Sequence, residues 1–79
     1  MWHVYILKCS DGTLYTGVAA DLRRRIEEHN NSSLGAKYTR GRRPVRLAYS
    51  AGFKNRSDAQ KEESRIKKLK KIEKLKLVK

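Results

Sequence analysis

A single cysteine, Cys9, excludes an intrachain disulfide, and with only two histidines beside it a structural zinc site is untenable. No CxxC pair, no HExxH and no GxxxxGK[ST] loop is present, which removes the common redox, zinc-protease and P-loop readings. Apolar runs are short, far below the roughly 18 residues of a membrane span, and Met1-Trp2-His3-Val4 lacks the pattern of a secretion signal. Cys9 reads as strand packing in a reducing compartment, so the expected location is the cytoplasm. Acidic residues are scarce as well: 8 Asp and Glu stand against 20 Lys and Arg.

What is abundant is positive charge. The formal net charge is +12 on 79 residues, with a pI near 10.3. A surface of this kind attracts polyanions and gains from counterion release, so a nucleic acid is the expected partner, DNA ahead of RNA, with no membrane role. A chain this short builds one modest core, and residues 1–79 are expected to form a single domain.

Residues 2–9 alternate apolar side chains on both faces, Trp2, Val4 and Ile6 against His3, Tyr5, Leu7 and Cys9. That pattern predicts a strand buried on both sides. Ser10-Asp11-Gly12-Thr13 is a hairpin turn, and Leu14 to Ala19 the antiparallel partner. Gly17 inside that strand marks a bulge or a close approach. Asp21 is placed to cap a helix carrying Leu22, Ile26 and His29 on one face, with Arg25 at its edge. Asn30-Asn31-Ser32-Ser33 ends it. A basic connector, residues 34–44, leads to the one proline, Pro44, and to a third strand over Val45 to Ala51, with Val45, Leu47, Tyr49 and Ala51 on one face and Gly52 as its stop. Ser57 and Gln60 form a capping box for a helix from about Asp58, whose frayed end is expected within Lys70 to Lys79. The β-β-α-β-α order predicts a small α/β (α+β) domain, a three-stranded, mainly antiparallel sheet flanked by helices.

Several residue sets could carry chemistry. Arg25 and His29, four apart, share a helix face; an arginine fork grips phosphate oxygens and an imidazole moves protons. The same pair also fits a solvated basic helix with a histidine at its C-terminal dipole. Tyr5 and Tyr15 lie on adjoining strands and could position a water or a phosphate oxygen, although strand tyrosines ordinarily pack. Glu62 and Glu63 flank the apolar stripe of Ala59, Ile66 and Leu69, either as metal ligands or in lysine pairs. Arg24 and the loop residues Lys37, Tyr38, Thr39, Arg40, Arg42 and Arg43 suit a sugar-phosphate backbone or a stacked base.

Taken in order, these residues resemble the GIY-YIG nuclease domain, in particular its short stand-alone bacterial members. The first motif appears as His3-Val4-Tyr5 and the second as Tyr15-Thr16-Gly17. The arginine helix runs Asp21 to Asn30, and the late glutamate lies in Ala59-Gln60-Lys61-Glu62-Glu63. The stretch Gly35-Ala36-Lys37-Tyr38-Thr39 with Arg42-Arg43-Pro44 matches the short members too. The resemblance implies a metal-dependent endonuclease hydrolysing DNA phosphodiesters, on branched or damaged DNA in repair or recombination. A catalytically weak or silent nucleic-acid-binding module of the same fold is the alternative. It implies Glu63 as ligand of one Mg²⁺ or Mn²⁺, Arg25 on the scissile phosphate, and Tyr5 and Tyr15 orienting the attacking water. One of the tyrosines, or His29, would be the general base, and Asn30, Lys37 and Thr39 are secondary candidates. Two departures stand out. His3 replaces the first motif's glycine, and Val18 stands where excision-repair relatives carry a lysine. With no appended DNA-binding domain expected, affinity would come from the basic surface, a homodimer or a partner protein.

Overall fold

The computed structural model describes residues 1–78. Strand β1 (Trp2–Lys8) is central, flanked by β2 (Leu14–Ala19) and β3 (Arg46–Phe53) in the order β2-β1-β3, all antiparallel. Helices α1 (Leu22–Asn31), α2 (Lys37–Arg40), α3 (Arg56–Lys67) and α4 (Lys71–Leu77) complete the chain. The expected α+β sheet is therefore present, with two additional short helices.

The central position of β1 explains its two apolar faces, since Val4, Tyr5, Ile6 and Leu7 are all buried. On one face Tyr5, Leu7 and Cys9 pack with Ala19, Val45 and the α1 residues Leu22 and Ile26. On the other, Val4 and Ile6 meet Ala59 and Ile66 of α3. The β1–β2 turn is shaped by Gly12 at φ +84° and by Asp11, whose carboxylate accepts from the Thr13 amide and hydroxyl.

Three sequence expectations are corrected. In β3, Ile6 stands opposite Tyr49 but Leu7 opposite Leu47, so Ala48 is the extra residue of a bulge. The bulge splits the expected single face: Leu47 sits beside Leu22 and Ile26, while Tyr49 joins the α3 side. The strand also runs through Gly52 to Phe53. Next, α3 begins at Arg56, because the Asn55 side chain accepts from the Asp58 amide and serves as cap in place of Ser57. Lastly, the lysine-rich tail is no frayed continuation. Lys70 is extended (ψ 157°), α4 starts afresh, and Leu77 and Val78 fold back onto the α3-side core. The expected helix end at Lys79 lies outside the described residues. No helix among the described residues is long and apolar enough to cross a membrane.

Candidate active site

Register decides which tyrosines meet. Tyr5 is opposite Gly17 and Leu7 opposite Tyr15, which puts both tyrosines on the α1 face, their ring centroids 6.5 Å apart. Gly17 is the close approach its position suggested: a Cβ there would stand 2.6 Å from Cζ of Tyr5. The far end of the Tyr5 ring thus rests against a backbone that only glycine leaves open.

Asp21, accepting from the Arg24 amide, starts α1 in the phase that points His29 inward and leaves Arg25 at the edge. His29 is fully buried, not solvated. Its Nε2 is 2.9 Å from the Tyr5 hydroxyl and its Nδ1 is 3.0 Å from Oγ1 of Thr39. The Thr39 hydroxyl donates to the Ala36 carbonyl at 2.9 Å. The Ala36 amide N–H, which can only donate, points to Nδ1 at 3.3 Å, so Nδ1 carries the lone pair and Nε2 the proton. Nε2–H then donates to the Tyr5 oxygen. The Thr39 hydroxyl, free to rotate, has both Nδ1 and the Ala36 carbonyl within reach as acceptors. Gly35 allows this loop to reach the helix, since a Cβ on it would fall 2.7 Å from Cα of His29.

The electrostatics follow from burial. Burial, with the Arg25 guanidinium nearby, pushes His29 down to about 4, so the ring is neutral at pH 7. Burial pushes the Tyr5 hydroxyl up to about 12, against the pull of Arg25. Arg25 is itself anchored: Nη1 donates to Glu28 and to the Leu34 carbonyl, both at 2.9 Å.

Tyr5, Tyr15, Arg25 and Glu63 line one polar pocket of about 200 Å³. It straddles the free edge of β2, taking Arg25 from the helix on one sheet face and Glu63 from the helix on the other. The two glutamates separate here. Glu62 forms a bidentate pair with Arg65, both contacts 2.7 Å, which holds its carboxyl below the usual range. Glu63 faces the pocket with Lys67 as its neighbour, Nζ to Oε2 3.3 Å. No cluster of three or more His, Cys, Asp or Glu occurs among the described residues. A single carboxylate beside two phenols suits a hard divalent cation that keeps most of its waters and takes further oxygens from a phosphate. The donor set therefore fits Mg²⁺ or Mn²⁺ and does not fit a preformed cage.

The basic loop divides. Lys37 and Arg40 are exposed on α2, and Arg24 is exposed on α1, 3.4 Å from Glu28. Tyr38 stacks on Tyr15 at 5.9 Å and carries the Arg42 guanidinium 4.0 Å from its ring centre, while Arg42 also pairs with Asp11 at 3.0 Å. Three candidates turn inward instead. Thr39 is buried in the histidine network. Arg43 donates to the carbonyls of Glu28, His29 and Ser32 and closes the C-terminus of α1. Asn30 bridges to β3 through both the amide and the carbonyl of Val45. Thr39, Arg43 and Asn30 thus each make bonds that hold the fold.

Sequence reasoning missed Trp2, Arg56 and Gln60, which complete the pocket wall. The signal was there: Arg56, Gln60 and Glu63 are spaced i, i+4, i+7. Starting the helix past Arg56 concealed it.

A model of the GIY-YIG catalytic domain matches residues 1–76. A UPF0213 protein of Desulfotalea psychrophila is 54% identical over 78 residues, covering 99% of this chain and 71% of that protein. One from Halobacterium salinarum is 51% identical over 74 residues, covering 94% and 95%. Among solved structures, the solution NMR structure of the UPF0213 protein BH0048 from Bacillus halodurans shares 46% identity at a TM-score of 0.62. That match covers 99% of this chain and 83% of the other.

Proposed function

The chain belongs to the GIY-YIG catalytic-domain family, which implies nuclease-type chemistry on a nucleic acid, and we propose that it is a divalent-metal-dependent endonuclease acting on DNA. The observation that carries this reading is the meeting of Tyr5, Tyr15, Arg25 and Glu63 in one polar pocket. Glu63 would hold the cation, which when bound supplies Lewis-acid stabilisation of charge on the phosphate and the leaving oxygen.

The chain's own residues would act as follows. Arg25, held by Glu28 and the Leu34 carbonyl, binds the non-bridging oxygens of the scissile phosphate through its remaining donors. The Tyr5 oxygen accepts from Nε2–H of His29 and turns its own hydroxyl to the pocket, where it meets the attacking water. Tyr15 borders the same space and orients that water. In its ionised form the Tyr5 oxygen, held by Nε2–H of His29 and the Arg25 guanidinium, takes a proton from the water and returns to the neutral phenol.

The test is cleavage of supercoiled, nicked and branched DNA with Mg²⁺ or Mn²⁺, comparing wild type with Arg25→Ala and Glu63→Gln. Both variants should lose cleavage and keep most affinity, because phosphate binding is spread over many cations. Wild-type binding without cleavage on every substrate would establish the second reading, a binding module. The Glu63–Lys67 pair, which neutralises the carboxylate locally, is the observation that favours it.

A further inference from the structure

Arg56 carries a guanidinium whose donors are unpaired among the described residues. It forms no ion pair and no hydrogen bond with them, yet it lines the pocket. Its Cζ lies 5.4 Å from the ring centre of Trp2, which orients the head group without using its donors. At about 100° per residue, Arg56, Gln60 and Glu63 fall within about 60° of one another on α3. One helix face thus presents a cation, an amide and a carboxylate in a row. Seven residues at about 1.5 Å each place Arg56 about 10 Å from Glu63 along the axis, so that a guanidinium reaching straight out from the helix meets a neighbouring phosphate of the strand. Val18 lines the same pocket and contributes no charge there.

We propose that Arg56 is a second phosphate-binding residue, gripping the backbone phosphate adjacent to the one held by Arg25, with Trp2 setting its direction. The proposal rests on the nuclease reading for the identity of the ligand, a nucleic-acid strand with at least two consecutive phosphodiesters. It makes α3, not the α2 loop, the element that aligns the strand in the site.

The test is an NMR titration of ¹⁵N-labelled protein with a thymidine dinucleotide, which has one phosphodiester, and a trinucleotide, which has two, without catalytic metal. Wild type should bind the trinucleotide about tenfold more tightly, the scale of one added charge-assisted contact. Arg56→Ala should erase that preference and leave dinucleotide affinity unchanged, and Arg56→Lys should restore part of it. Against longer single strands, the variant's salt dependence should fall by about 0.7 in the log–log slope, the signature of one lost phosphate contact. Lys61→Ala, an exposed cation of the same helix outside the pocket, should keep the preference. A wild type with no preference for the second phosphate, or an Arg56→Ala variant that retains it with its spectrum otherwise intact, overturns the proposal. Cleavage assays run in parallel report on the nuclease reading separately, because the affinity ratio needs no turnover.

Discussion

The Tyr5 hydroxyl and Nε2 of His29 lie 2.9 Å apart inside the protein, with the imidazole fully buried. Strand and helix meet through this bond, and it decides which oxygen lone pairs face the pocket. The Ala36 amide, from a third segment, donates to the far side of the ring and fixes its lone pair there.

Thr39→Val keeps the shape and removes the hydroxyl beside Nδ1, leaving the Ala36 amide to hold the ring. We expect the Nε2–H tautomer to persist and stability to fall by about 0.5–1.5 kcal/mol in chemical denaturation, the scale of one lost hydrogen bond. Long-range ¹H–¹⁵N spectra of the wild-type imidazole at pH 7 check the tautomer directly; an Nδ1–H ring would refute the Ala36 contact.

The depressed His29 has two consequences with the same sign. Catalysis needs the neutral ring, so the acid limb of kcat/KM for free enzyme should fall near pH 4, well below an ordinary histidine. Stability obeys the linkage rule: the unfolded chain takes up the proton near pH 6.5 and the folded chain near 4. The contribution is therefore complete above 6.5 and lost as pH falls toward 4, by at most about 1.4 kcal/mol per pH unit. Melting curves of wild type and His29→Gln should converge across that window.

Gly17→Ala forces a methyl against the Tyr5 ring. The expected cost is about 1–3 kcal/mol of stability from overpacking, with cleavage lost as the phenol is displaced. Chemical denaturation measures the first, and a stable, fully active variant would refute the close packing.

Lys67 competes with any cation for Glu63. Its replacement by Ala should tighten Mn²⁺ binding several-fold, since one positive charge leaves the ligand's side. Titration followed by Mn²⁺ electron paramagnetic resonance reads this out; weaker binding would mean that the ion sits elsewhere.

Arg43 separates structural from functional cations. Its bonds to the end of α1 predict a loss of about 1.5–3 kcal/mol in Arg43→Ala. The salt slope of DNA binding should stay as in wild type, whereas Lys37→Ala, exposed on α2, should reduce it.

How much of this was legible in the sequence depended on how local the signal was. The two-faced β1, the Asp11-Gly12 turn and the Asp21 cap depend on neighbours in the chain, and each appeared where its residues indicated. Strand alternation left open whether Tyr5 and Tyr15 share a side, and the register brings them together. The bulge at Ala48 likewise depends on pairing with β1, and no pattern within β3 announces it. The burial of His29 and Thr39 was hidden because both are polar, and only the fold-back at Gly35 encloses them. Arg43 looked like any loop arginine because its acceptors are carbonyls, which carry no sequence signal. Choosing between Glu62 and Glu63 from residues alone was open; the partnering of Glu62 by Arg65 separates them.

Arg25 and Glu63 reach the pocket from opposite faces of the sheet, around the edge of β2. Here each is balanced by its own helix, Arg25 by Glu28 and Glu63 by Lys67. Separate partners thus keep a cation and an anion poised in one pocket without cancelling, ready for a ligand that carries both kinds of partner, phosphate oxygens and their metal.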